Sequence, residues 1–145
     1  MRSKLVHEGS GQRTFVVVLE TGDEVMSVLK GFAKERQLTA AQITAIGAFS
    51  DATIAYFDWE AKDYIRIPVK EQVEVASLIG DVATDETGGP ALHVHLVLGK
   101  RDGSALAGHL TEGHVRPTLE VIITESPAHL HKAMDPESGL ALIRL

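Results

Sequence analysis

The chain has 145 residues, 44% of them hydrophobic, which is enough for one globular domain whose core needs no covalent staples. It contains no cysteine, so disulfides are excluded and any transition-metal site must be built from histidine and carboxylate ligands. With 14 basic residues against 20 acidic, the formal charge of −6 opposes binding to a phosphate backbone, and no DNA partner is expected. The polar N-terminus and the lack of an apolar run near the roughly 20 residues of a membrane helix lead to the expectation of a cytoplasmic protein without a membrane partner.

Residues 1–13 are polar and contain Gly9-Ser-Gly11, so they read as a mobile N-terminal lead-in to a single domain spanning 14–145. Phe15-Val-Val-Val-Leu19 is a β-branched run bounded by glycines and reads as a buried strand. Val25, Val28, Leu29, Phe32 and Ala33 then follow the spacing of one apolar helix face. Thr21 and Glu24 have capping-box spacing at its start. Thr39 and Gln42 repeat that spacing and suggest a single further turn before an extended segment, Ile43 to Phe49.

The remainder is rich in short strand signals: Ala52 to Asp58, Tyr64 to Val69, Val73 to Ile79, Leu92 to Leu98, Ala105 to Leu110, Leu119 to Ile123 and Leu140 to Leu145. Thr84 to Pro90 is the clearest internal loop, because Gly-Gly-Pro cannot continue a ladder. One strong helix among many strands predicts an α+β domain, with the helix packed on a largely antiparallel sheet.

The chemistry concentrates in Ala91 to Leu110. His93 and His95 are two apart in a strand-like run and therefore share one face of the sheet. A three-residue loop, Arg101-Asp102-Gly103, would pair Lys100 with Ser104 and set His95 opposite His109, with His93 diagonal on the same face. A two-residue loop would reverse the parity and send His109 to the other face. Cross-strand spacings of about 5 to 8 Å allow the three imidazoles to converge on one divalent ion, with zinc the expected metal and a fourth position left open. The competing reading is two hydrogen-bonded core histidines and a coincidental third.

His114 is a candidate for supporting a metal ligand or contacting a substrate, and Glu112 a candidate general base beside the metal. His129 and His131 repeat the two-residue spacing but lie in a segment without strand character, and read as a solvated loop. Asp81, Asp85 and Glu86 read as loop charges. Glu74 and Glu120 interrupt apolar strands, so each must face solvent or find a partner.

From about Phe15 to Glu125 the order of segments resembles the PPC domain family (plants and prokaryotes conserved). The matching pieces are Thr21-Gly-Asp-Glu24, Ile46-Gly-Ala48, Tyr56-Phe57-Asp58, Glu74 to Gly80, Leu92-His-Val-His-Leu96, Asp102-Gly103, Gly108-His-Leu110 and Thr118-Leu-Glu-Val121. The resemblance implies an α+β fold assembled as a homotrimer, with a metal held in prokaryotic members by His93, His95 and His109. Two departures stand out: the glycine pair before the third histidine is Ala107-Gly108, and a frequent Gly-Asn is Gly80-Asp81. Acetolactate decarboxylase resembles the family in fold and also uses a His-x-His plus distant His zinc site, which implies an alternative role as a zinc enzyme acting on a small carbonyl compound. In plants the domain is attached to an AT-hook and the proteins bind DNA, which implies by analogy a further alternative, a DNA-associated or protein-interaction module, although this chain has no Arg-Gly-Arg-Pro core.

Overall fold

The computed structural model describes residues 1–145. Helix α1, Val25–Glu35, forms where the apolar spacing predicts it, burying Val25, Leu29, Phe32 and Ala33. Its N-cap is Glu24 rather than Thr21. Glu24 is extended, and its carboxylate accepts from the free amides of Met26 (3.0 Å) and Ser27 (2.8 Å). Thr21 instead donates to the Pro117 carbonyl at 3.1 Å. The helix packs on the strands formed by Pro90–Gly99 and Ala105–Glu125.

The strands are β1 Arg2–Gly9, β2 Gln12–Glu20, β3 Ala41–Asp58, β4 Asp63–Val69, β5 Val73–Thr84, β6 Pro90–Gly99, β7 Ala105–Glu125, β8 His131–Met134 and β9 Ala141–Arg144. All pair antiparallel except β5 with β8, which meet in parallel at Thr84 and His131. Residues 1–13 are not a mobile lead-in. Arg2–Gly9 pairs along β2 through a turn in which Ser10 and Gly11 both take positive φ, the backbone of a tight hairpin. The turn expected at Thr39 to Gln42 is also absent, since β3 begins at Ala41.

Two pairs of strands expected as separate units are continuous. β3 carries an extra residue at Ser50, and β7 carries extra residues near Pro117 and at Thr111, so each bends without ending. This length lets β3 and β7 pair with each other along most of their extent. β5 pairs with β3 and β6, and β6 pairs with β7, which closes the circuit β3–β5–β6–β7. Alternate residues fill its interior: Ile43, Leu78, Val82, Val94, Leu96, Leu98, Leu119, Val121 and Ile123 are all buried. The opposite parity, including His93, His95, Ile79 and Ile122, faces outward.

Gly80 of β5 stands close against the backbone of β6. A Cβ there would lie 2.5 Å from the His93 carbonyl oxygen, a backbone atom that cannot move aside without opening the ladder. Gly80→Ala is expected to destabilise the metal-free protein by about 1–3 kcal/mol, the usual cost of overpacking. Urea denaturation measures it, and a midpoint equal to the parent's would show that the two strands separate freely.

Candidate metal centre

The β6–β7 hairpin has the loop that the sequence predicts. Lys100 N donates to Ser104 O at 2.8 Å and Gly103 N to Lys100 O at 2.9 Å, with Gly103 at φ 83°. The Asp102 carboxylate braces the turn by accepting from Ser104 N at 2.9 Å. From this closure the register runs Gly99–Ala105, Leu98–Leu106, Val97–Ala107, Leu96–Gly108 and His95–His109. His93 follows His95 on the same outward face.

The three rings form a nearly equilateral cluster, with centroid separations of 4.9, 4.9 and 5.0 Å. His93 Nε2 lies 3.0 Å from His95 Nε2, and His109 Nδ1 lies 3.3 Å from the same His95 atom. One ligand atom from each residue falls within 4.8 Å of the others. Three nitrogens each about 2.0–2.1 Å from a tetrahedral ion would stand about 3.3–3.4 Å apart, so the spacing suits zinc. Hydrogen bonding alone explains it poorly. An imidazole nitrogen carries either one proton or one lone pair, and His95 Nε2 therefore cannot satisfy both neighbours.

His93 and His109 are biased toward the neutral form. Burial, followed by the neighbouring His93 and His95 and then Lys132, lowers the His109 pKa to about 4. Burial first, then Lys132, lowers that of His93. Neutral imidazoles are the form a metal binds. Tyr64 of β4 packs on His109 with centroids 5.0 Å apart.

Two neighbours were not legible as site residues. Asp81 lies directly across the β5–β6 ladder from His93, with Oδ2 3.7 Å from His93 Nδ1. Its Oδ1 is fully buried, and Lys132 Nζ, itself on a side chain only 5% exposed, stands 2.6 Å away as an ion pair without good hydrogen-bond alignment. Asp81 is thus a strand residue rather than a loop charge. Lys132 belongs to β8, in a segment read from sequence as loop. Asp85 does organise a loop, accepting from Thr87 and Gly89 amides at 2.9 Å each.

The other candidates lie elsewhere. His114 Nδ1 is 2.8 Å from Asp51 Oδ1, and Glu112 lies 3.9 Å from His114 Nε2. Glu112 is not among the groups that converge with the three histidines. His129 contacts the Thr39 hydroxyl at 2.8 Å, and His131, part of β8 rather than of a loop, contacts Thr84 Oγ1 at 2.9 Å. Glu74 and Glu120 both face outward, resolving their sequence positions by alternation.

The two histidine environments have opposite pH signatures. The Asp51 carboxylate raises the His114 pKa above 6.5, and the resulting stabilisation is present at low pH and lost as pH rises through the raised value. His109 is the reverse case: its unfolded form protonates near 6.5 and its folded form near 4, so metal-free stability falls as pH drops between those values. NMR titration of metal-free protein should give a His109 midpoint far below that of His114. A His109 midpoint at or above 6.5 would contradict the cluster's geometry.

Comparisons with known proteins fit this arrangement. The family model for the Plants and Prokaryotes Conserved domain, abbreviated PCC or PPC, matches residues 6–127. Among solved structures, a metal-containing protein from Archaeoglobus fulgidus is 34% identical, covering 91% of this chain and 93% of that one at a TM-score of 0.84. A plant- and prokaryote-conserved protein from Pyrococcus horikoshii is also 34% identical, with 92% of each chain covered and a TM-score of 0.85. A protein from Bacteroides thetaiotaomicron named as a candidate DNA-binding protein is 25% identical, covering 98% and 96% at a TM-score of 0.88. No curated protein matches the chain. On the extent of the family match and the 34% identity to two solved structures, the chain belongs to the Plants and Prokaryotes Conserved domain family.

Proposed function

We propose that this is a homotrimeric metal-binding protein in which His93, His95 and His109 hold one zinc ion per chain and leave a position for water or a small ligand. The observation that carries the reading is the convergence of three imidazole nitrogens at separations of 3.0 and 3.3 Å around His95. The metal-containing relative from Archaeoglobus supports it. A zinc ion bound there would supply Lewis acidity toward a carbonyl or a bound water. The protein's own contribution is a rigid sheet that fixes the donors before the ion arrives.

Metal analysis of protein purified without an affinity tag should find about one divalent ion per chain, as one such cluster allows. His93→Ala, His95→Ala and His109→Ala should each lose most of it, whereas His131→Ala, bonded to Thr84, should retain it. Retention of zinc by His109→Ala would defeat the three-histidine site.

The trimer is supported by an apolar patch on the outer face of the sheet. Ile79 of β5 and Ile122 of β7 flank Thr44 of β3, each directly across a ladder from it, and Ile46 follows on the same face. Ile46, Ile79 and Ile122 are 60%, 57% and 48% exposed in the single chain. Large β-branched side chains grouped on an exposed sheet face mark a surface that another protein covers. A formal charge of −6 per chain argues against DNA as that partner. Light scattering should give three chains per particle and a smaller particle for Ile79→Glu. A stable parent monomer at micromolar concentration would contradict the assembly.

A further inference from the structure

The C-terminal strands β8 and β9 lie beyond residue 127, where the family match ends, yet β8 delivers a buried cation to the edge of the histidine cluster. We propose that Asp81 is a positioning residue for His93, fixing that ring for metal binding through Nδ1, and that Lys132 of β8 anchors the carboxylate. The proposal rests on the metal reading and extends it.

The two nitrogens of the His93 imidazole face different partners. His93 Nε2 faces the other histidines, so a metal there takes the Nε2 lone pair and leaves the ring proton on Nδ1. That N–H then needs an acceptor. The register supplies one, because Asp81 and His93 are directly paired on β5 and β6 and their side chains emerge on the same face. Asp81 Oδ2 stands 3.7 Å from Nδ1. The gap is about 0.7 Å longer than a good hydrogen bond, within reach of a small ring rotation. Asp81 lies on the side of the ring away from the cluster and is not one of the converging ligands.

Lys132 explains why the carboxylate stays in place. Burying an unpaired carboxylate oxygen is costly, and Asp81 Oδ1 is buried with Lys132 Nζ, at 2.6 Å, as its partner. The ammonium thereby holds one oxygen while the other remains turned toward His93. Strand β8 is kept beside β5 by the Thr84–His131 pairing and by Thr84 N donating to Leu130 O at 2.9 Å. A chain of contacts therefore runs from the C-terminal hairpin through Lys132 and Asp81 to His93. Outer carboxylates of this kind orient ligating histidines and typically change metal affinity by 10–100-fold.

The test measures zinc affinity by competition with a chromophoric chelator for the parent, Asp81→Asn, Asp81→Ala and the double variant Asp81→Ala/Lys132→Met. The double variant removes the buried cation together with its partner, so the comparison survives if Asp81→Ala alone fails to fold. Asp81→Ala and the double variant should bind zinc about 10–100-fold more weakly. Asp81→Asn, whose amide oxygen can still accept from Nδ1, should fall between them and the parent. Long-range proton–nitrogen NMR of the zinc-loaded parent should show His93 protonated at Nδ1. In the double variant the His93 ring signals should move, with those of His95 and His109 little changed. Parent protein that binds no zinc would overturn the metal reading itself. A parent that binds zinc and a double variant within twofold of it would overturn only the role of Asp81 and Lys132.

Discussion

The register of the β6–β7 hairpin is the constraint on which the site depends. Two residues of one strand lie on the same face by simple alternation, but bringing a third from the neighbouring strand requires the loop to have the right parity. Arg101-Asp102-Gly103 meets that requirement with Gly103 in the left-handed region and with the Asp102 carboxylate tying down Ser104. His95 and His109 become direct partners as a result. Had the loop been one residue shorter, His109 would have pointed into the interior occupied by Leu96, Leu98 and Leu110.

The rest of the fold makes this hairpin rigid. Long strands β3 and β7 pair with each other and close a circuit through β5 and β6, so His95 and His109 each sit on a strand paired on both sides, and His93 is paired to β5. The inward side chains of all four strands join one apolar core with the helix. Packing is close at Gly80 and Gly108, where an added Cβ would meet the backbone oxygens of His93 and Ala55 at 2.5 and 2.8 Å. These two glycines stand beside the metal-site strands because the neighbouring backbones approach there. The donors are consequently presented by backbone that cannot easily slide.

Much of this was legible in the sequence, for identifiable reasons. The helix face, β2 and the histidine hairpin each combine a period in the apolar residues with a local turn or boundary signal, and both kinds of information are short-range. What escaped was either exposed or non-local. β1, Arg-Ser-Lys-Leu-Val-His-Glu-Gly, has no fully buried residue and therefore no alternation to betray it; its pairing comes from backbone bonds to β2. β8 is four residues long and buries a lysine, the opposite of a strand signal. β3 and β7 looked like two strands each because bulges at Ser50 of β3 and at Thr111 and near Pro117 of β7 break the alternation without breaking the chain's path. Asp81 resembled a loop charge because its two partners, His93 and Lys132, are distant in sequence.

The proposed three-imidazole metal site and a hydrogen-bonded histidine cluster differ in the ion environment they predict for zinc-loaded protein. X-ray absorption at the zinc edge of the loaded protein examines it most directly. The expected spectrum fits three imidazole nitrogens at about 2.0–2.1 Å with one further light ligand. A shell of six oxygens, or a fit requiring no more than one imidazole, would place the ion elsewhere and contradict the site.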